Sequence, residues 1–433
     1  MLEHLPILLF VVAFILILFG FPVAFTLGGL SILVGLWVFD VDFFYLLALR
    51  VYGIMSNFVL LAVPLFVFMG MMLERSGIAE RLLETMSIIF GRLRGGLAIA
   101  VIVVGTLLAA STGIVGATVV TMGLISLPTM LKKGYHPRIA TGVIAASGTL
   151  GQIIPPSVVL VLLGSVLNVS VGDLFLAAII PGLGLVGMYL VYVLIISRIR
   201  PNHVPKISAS ERKAFKEQGM SFELLSTFVF PFLLVLAVLG SIFAGIASPT
   251  EAAGVGAFGA LLLTALQGRL RLRLIKEVSK ETTLITSMVF MILIGATAFS
   301  LVFRGLEGDK YFLSMIQGSD LSPNHFLIVV MIVVFVAGFF IDFIEIIFII
   351  VPIVAPIFVA LGLDLVWIGI LLAINLQTSF LTPPFGFALF YLKGVAPPEV
   401  RTSEIYRGVI PFVIIQLVFL IVLILFPQLV VWT

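Results

Sequence analysis

Apolar residues in this chain come in long unbroken blocks. They neither alternate at period two nor form a narrow helical stripe. A helix needs about 20 mostly apolar residues to cross a bilayer core. On that measure the first half predicts spans at 5–19, 22–38 and 56–73, the first two divided by Gly20-Phe21-Pro22. An apolar stretch at 97–131 is broken near Ser111-Thr112-Gly113, and one at 139–168 is interrupted by Gly151-Gln152-Ile153-Ile154-Pro155-Pro156. A further span follows at 174–197. The second half reads alike, with spans at 222–247, 251–267 and 282–303. Its stretch at 326–361 is broken around Asp342–Glu345, and 366–395 is interrupted at Ser379-Phe380-Leu381-Thr382-Pro383-Pro384 before a last span at 409–431. Segments 76–95 and 304–323 differ in kind: their apolar residues gather on one helical face, as in arms lying along a membrane surface, and the second reads equally as an ordinary loop helix.

The punctuation repeats. Pro22 and Pro249 are 227 residues apart, while Pro128 and Pro356, and the pairs Pro155-Pro156 and Pro383-Pro384, are 228 apart. A proline inside a membrane helix removes a backbone donor, so it marks a chosen break. The spacing predicts an internal duplication, with residues 1–200 and 222–433 as the two repeats and 201–221 as a cytoplasmic linker. If 97–131 and 326–361 are re-entrant hairpins, each half crosses five times and the second half is inverted. On that reading 21 of the 24 Lys and Arg fall on one side, leaving Arg50, Arg304 and Lys310 opposite. The positive-inside rule makes the crowded side cytoplasmic. The expected fold is an all-α polytopic membrane protein with an inverted structural repeat, two re-entrant helical hairpins and two broken helices.

Composition narrows the function. Of 433 residues, 61% are hydrophobic and 10% charged, against about 45–50% and about 25% in soluble domains. The net charge of +3 comes from basic loops and not from a nucleic-acid groove. The chain has no Cys, which excludes disulfides and thiol chemistry. His4, His136, His203 and His325 have no metal-ligand spacing. Met1-Leu2-Glu3-His4 lacks a basic leader, so the first apolar run is expected to stay in the protein. There is no phosphate-binding loop and no arrangement of residues that reads as an enzyme.

Polar residues deep in apolar segments are costly, and they mark function by default. They gather at four places: Ser111-Thr112-Gly113 with Gly116 and Thr118; Ser147-Gly148-Thr149 with Gly151-Gln152; Asp342 with Glu345; and Asn375, Gln377, Thr378, Ser379 and Thr382. At such breaks Pro frees carbonyls and Gly permits non-helical backbone. Free carbonyls and hydroxyls are hard oxygen ligands suited to Na⁺, and half-helix N-termini suit a carboxylate. A bland alternative stands beside this, since Ser and Thr hydroxyls in membrane helices also bond the preceding turn. Asp342 and Glu345 are read as shaping a cation site, relaying protons, sitting at a watered hairpin tip or pairing locally. Glu251, in Ser248-Pro249-Thr250-Glu251, is read as a helix cap.

Four stretches resemble the large membrane (M, DctM-like) subunit of tripartite ATP-independent periplasmic (TRAP) transporters. They are Ala110–Thr118, Gly148–Ser157, Ser248–Ala253 and Leu381–Gly386, and the resemblance extends over the whole chain. It implies an elevator-type carrier for sodium-coupled uptake of an organic acid across the bacterial inner membrane. It also implies a small membrane (Q-type) subunit, expected as a separate chain, and a periplasmic substrate-binding (P-type) protein. By resemblance one Na⁺ site joins Thr112 and Gly113 to Gly151 and Pro156, and another joins Asp342 to Thr378, Thr382 and Pro384. Substrate would lie near Ser111, Thr112, Gly113, Gln152, Asn375 and Ser379. No organic cofactor or nucleic-acid partner is implied. Many relatives have Ser-Gly-Ser-Ser at the first tip, where this chain has Thr112-Gly113-Ile114-Val115, so backbone carbonyls carry more of the expected ligation there. Competing readings are a stand-alone sodium/dicarboxylate carrier and a membrane scaffold or channel without coupling.

Overall fold

A computed structural model describes residues 4–113, 115–206, 223–317 and 322–431. Most of the expected linker and part of the second arm lie outside them. The described residues are helical throughout, with no strand among them. The first half contains α1 (Leu5–Leu18), α2 (Val23–Val38), α3 (Tyr45–Met55), α4 (Ala62–Arg75) and the surface arm α5 (Ile78–Ile89). A hairpin of α6 (Gly96–Thr112) and α7 (Val115–Lys132) follows, then a broken helix, α8 (Pro137–Thr149) with α9 (Val158–Leu167), and the long α10 (Val171–Ile199). The second half contains α11 (Glu223–Phe243), α12 (Pro249–Leu266), α13 (Leu272–Gly305) and α14 (Gly308–Gln317). Its hairpin is α15 (Pro323–Ala337) with α16 (Phe343–Ile349) and α17 (Val351–Ala360), and its broken helix is α18 (Leu365–Leu381) with α19 (Phe387–Val395), before α20 (Thr402–Leu425).

Shifted by 228 residues, the hairpins, the broken helices and the final long helices of the halves superimpose in sequence position. One pair diverges. α3 and α4 are separate helices, whereas α13 runs unbroken for 34 residues. Asn57 explains the stop in the first half: its side chain accepts from Val59 N at 3.0 Å and starts a new turn. The equivalent of Asn57 in α13 is Ile285, whose side chain offers no cap. Hydrophobicity alone places the start of this helix ten residues too late, because Arg273, Lys276, Glu277 and Lys280 are strong helix formers in a polar first section.

Six helical segments among the described residues have the length and hydropathy of a full crossing, or seven if the α16–α17 pair, bent by 51°, counts as one. Of the hairpin legs α7 is among the six, while α6, α15 and the half-helices α9 and α18 are shorter, as expected for elements that stop partway. Glycines allow the closest approaches between halves. Gly28 of α2 faces Gly295 of α13. Gly142 of α8 lies against the Gly408 carbonyl of α20, and Gly408 in turn lies against the Arg138 carbonyl. Without water, helix association depends on such packing. α5 buries Ile78, Leu82, Leu83 and Met86, with Glu80 and Glu84 outward. At the loop before α8, His136 stacks on His203 at 4.5 Å, and its backbone N–H donates to His203 O at 3.1 Å. Ser248 and Glu251 form a reciprocal capping box at α12, as read from sequence.

Candidate transport site

Both predicted breaks are present. α8 ends in a tight turn, and Leu150 O accepts from Ile153 N (3.1 Å) and Ile154 N (2.9 Å). The chain then leaves helical geometry through a cis Pro155–Pro156 bond. Ser157 restarts it: its Oγ donates to Gln152 O at 2.7 Å and accepts from Leu160 N at 3.5 Å. In the second break Thr382 adopts extended backbone after α18, followed by a cis Pro383–Pro384 bond. Tyr406 Oη donates to the Pro384 carbonyl at 2.9 Å.

Each hairpin seats on a broken helix. Gly113 ends α6 with φ 62°, and a side-chain carbon there would lie 2.9 Å from Val158 N. One on Gly151 would lie 2.5 Å from Ala109 O. Gly113 thus lies against the start of α9, and Gly151 against Ala109 of α6. In the second half Gly338 lies against Ser379, and Asn375 Nδ2 donates to Met331 O at 2.7 Å. Asp342 caps α16, accepting from Phe343 N at 2.6 Å, while Glu345 accepts from Asp342 N at 3.1 Å. Both carboxylates thus have a structural role at the tip.

Between these elements and the α4–α13 wall lies a cavity of about 520 Å³. First-turn residues of four helices line it: Val115 to Ala117 of α7, Val158 of α9, Phe343 and Ile344 of α16, and Phe387 of α19. The partial positive ends of these helices thus converge on one space. The lining also carries Glu74, Arg75, Glu281, Asp342, Thr121 and Tyr391. Arg75 pairs with Glu281 at 2.6 Å. Thr121 on the hairpin donates to Glu74 Oε1 on α4, while Glu74 Oε2 is buried with no hydrogen-bond partner.

Of the side chains expected at the site, Asp342 lines this cavity. Those of Ser111 and Thr112, and all of Ile114, lie outside the described residues. Gln152 is wholly buried, with both amide atoms unpartnered. The hydroxyls of Thr378, Ser379 and Thr382 donate to Ile374 O, Leu376 O and Thr378 O at 2.7, 2.8 and 2.7 Å. They follow the preceding-turn alternative and keep their oxygen lone pairs. Pro156 and Pro384 contribute backbone at the breaks. Sequence reasoning missed Glu74, Thr121, Glu281 and Tyr391 and assigned Arg75 only to the basic face. Glu74 follows the apolar run Met69–Leu73 directly, and that placement was the available signal.

Hairpins seated on paired proline breaks, around a cavity at helix ends, define a multi-pass membrane transporter. The chain belongs to the family described as tripartite ATP-independent periplasmic transporter, DctM component, which matches residues 10–429. It is an inner-membrane protein. It is 33% identical to the C4-dicarboxylate TRAP transporter large permease protein DctM of Pseudomonas aeruginosa, over 92% of this chain and 91% of that protein. It is 32% identical to the ectoine TRAP transporter large permease protein TeaC of Halomonas elongata (85% and 84% covered) and to the sialic acid TRAP transporter large permease protein SiaM of Vibrio cholerae (88% and 87%). The crystal structure of the YdaH transporter of Alcanivorax borkumensis shares the fold, with a TM-score of 0.65 at 15% identity and 98% of both chains covered.

Proposed function

We propose that this chain is the translocating subunit for sodium-coupled uptake of a carboxylate. The observation that carries the reading is the convergence of four helix N-termini on one 520 Å³ cavity between the hairpins and the α4–α13 wall. Helix N-termini favour a carboxylate. The side chains around them do not: Glu74, Glu281 and Asp342 oppose Arg75 alone. An anion entering such a cavity meets like charge at low dielectric. Co-bound cations relieve that repulsion, which gives coupling a physical reason. Na⁺ fits the oxygen-rich breaks, where Gly113 and Gly151 each let the hairpin and broken-helix backbones approach closely and Thr378 and Thr382 keep lone pairs. Among the described residues no group of three or more His, Cys, Asp or Glu could hold a transition metal.

The hairpins and broken helices form a body that slides past the wall of α4 and α13, in an elevator movement. The relatives named for C4-dicarboxylate and sialic acid support a carboxylate cargo, and membership of a tripartite periplasmic family supports a small membrane subunit and a periplasmic binding protein as partners. The test is uptake in proteoliposomes holding this chain and its small subunit, with and without the binding protein. Uptake that needs an inward Na⁺ gradient and the binding protein is expected. Uptake by this chain alone overturns the tripartite reading, and uptake undiminished when K⁺ replaces Na⁺ overturns the coupling.

A further inference from the structure

A second cleft, of about 330 Å³, opens between α3, α13, the end of α9 and the α16–α17 leg. It lies on the face bearing Arg50, Arg304 and Lys310, read as periplasmic from the charge distribution. α13 lines both spaces: Glu281 to Val289 face the first, and Leu293 to Ser300 the second.

Its polar wall consists of Arg50, Asn57, Ser165, Thr297 and Ser300. Tracing the protons shows what it offers. Asn57 Oδ1 accepts from Val59 N at 3.0 Å, so its NH₂ group points away, toward Ser165 Oγ at 3.2 Å. One amide proton is used there. The other stays available, as does the Ser165 hydroxyl proton. Thr297 is spent as a donor on Leu293 O at 2.7 Å. Arg50 is half-buried, and the two charges acting on it, Arg304 and Asp309, pair with each other at 3.4 Å. No Asp or Glu lines this cleft among the described residues. It presents guanidinium, amide and hydroxyl donors without a competing acid, whereas the first cavity holds three carboxylates.

We infer that this cleft is a capture site for a small carboxylate on its way to the central cavity. Arg50 supplies the charge, and Asn57 and Ser165 supply the oriented donors. The inference rests on the carboxylate reading above and adds a direction to it: the outer cleft attracts the anion, and the acid-lined cavity holds it only while cations are bound.

The test exploits the absence of Cys, because Ser300→Cys, in the lining but not among the proposed donors, becomes the chain's single thiol. In vesicles, its modification is timed with a sulfonate-bearing thiol reagent and with the trimethylammonium analogue, both added from the Arg50 side. The anionic reagent is expected to react roughly tenfold faster, from the effect of one nearby charge in a watery cleft. Arg50→Gln brings the ratio close to one and Arg50→Lys preserves it. Succinate, as the probe, slows modification either when added free or when carried by the binding protein, compared with the unloaded protein, and these arms separate the two sources. Equal reagent rates in the Arg50 background, a ratio unchanged by Arg50→Gln, no modification by either reagent, or no protection in either arm overturns the inference. The readout is local field and occupancy, so a failure of Na⁺-driven uptake is registered separately.

Discussion

Gly151→Ala tests whether the seam between the first hairpin and its broken helix is an ion site. The added carbon would lie 2.5, 3.0 and 3.1 Å from the oxygen, carbon and Cα of Ala109, all backbone atoms. Ordinary carbon–oxygen contacts begin near about 3.3 Å, so the two segments must part by about 0.8 Å. Overpacking of this size costs about 1–3 kcal/mol. Because it falls between Gly151 and Ala109, on the hairpin leg that ends at Gly113, it is expected to appear as lost Na⁺ affinity, with each 1.4 kcal/mol worth about tenfold. The assay is the thermal midpoint in rising NaCl at constant ionic strength, balanced with KCl; it reads ion binding without a substrate. The parent is expected to gain stability with Na⁺, and the variant to need roughly tenfold more for the same gain. Gly187→Ala is the control, since nothing lies within 4 Å of the added carbon. It is expected to be neutral or stabilising by up to about 1 kcal/mol. A folded Gly151→Ala protein with the parental Na⁺ response would refute the reasoning.

Three further outcomes are expected. Thr382→Val keeps volume but removes the hydroxyl, and should raise the half-saturating Na⁺ for uptake about three- to tenfold with little loss of expression; equal Na⁺ affinity removes Thr382 from the ligand set. Thr121→Val leaves Glu74 without its donor, a loss of about 1–3 kcal/mol, so its melting point should fall while Thr121→Ser retains it; a Val variant as stable as the parent shows the contact is idle. Burial first, then His203 and Arg138, hold the His136 imidazole below its ordinary value. The folded state therefore takes up its proton less readily than the unfolded state, and this stability is full above about pH 6.5 and declines as pH falls toward the lowered value. The thermal midpoint should show a small acid-side loss that His136→Gln abolishes, and an identical pH profile in that variant rules the ring out.

Long apolar blocks with proline pairs at a fixed spacing made the hairpins and both broken helices legible, because a break inside a membrane leaves few residue types to choose from. The division between α3 and α4 was hidden, since it depends on Asn57 turning its side chain back onto the backbone and not on hydropathy. The seam was legible as backbone: the glycines at the tip and at the break, Gly113 and Gly151, each lie against the partner element. As side chains the site was largely hidden. Asn375, Ser379 and Thr382 have the right chemistry but turn to nearby carbonyls. Glu74 and Glu281 come from spans far apart in sequence and meet the hairpins only through tertiary packing. Asp342 and Glu345 read equally as cation-site, proton-relay or locally paired residues, and their spacing of three is that of the reciprocal helix cap they form.

The uninterrupted α13 sets a limit on how this molecule changes shape. At about 1.5 Å per residue its 34 residues make a rod of about 50 Å, with the inner cavity against one end and the outer cleft against the other. A rod without a hinge cannot widen one space and narrow the other by flexing. On the proposed elevator movement, alternation comes from what travels along α13, which then serves as a guide rail between the two proposed bays.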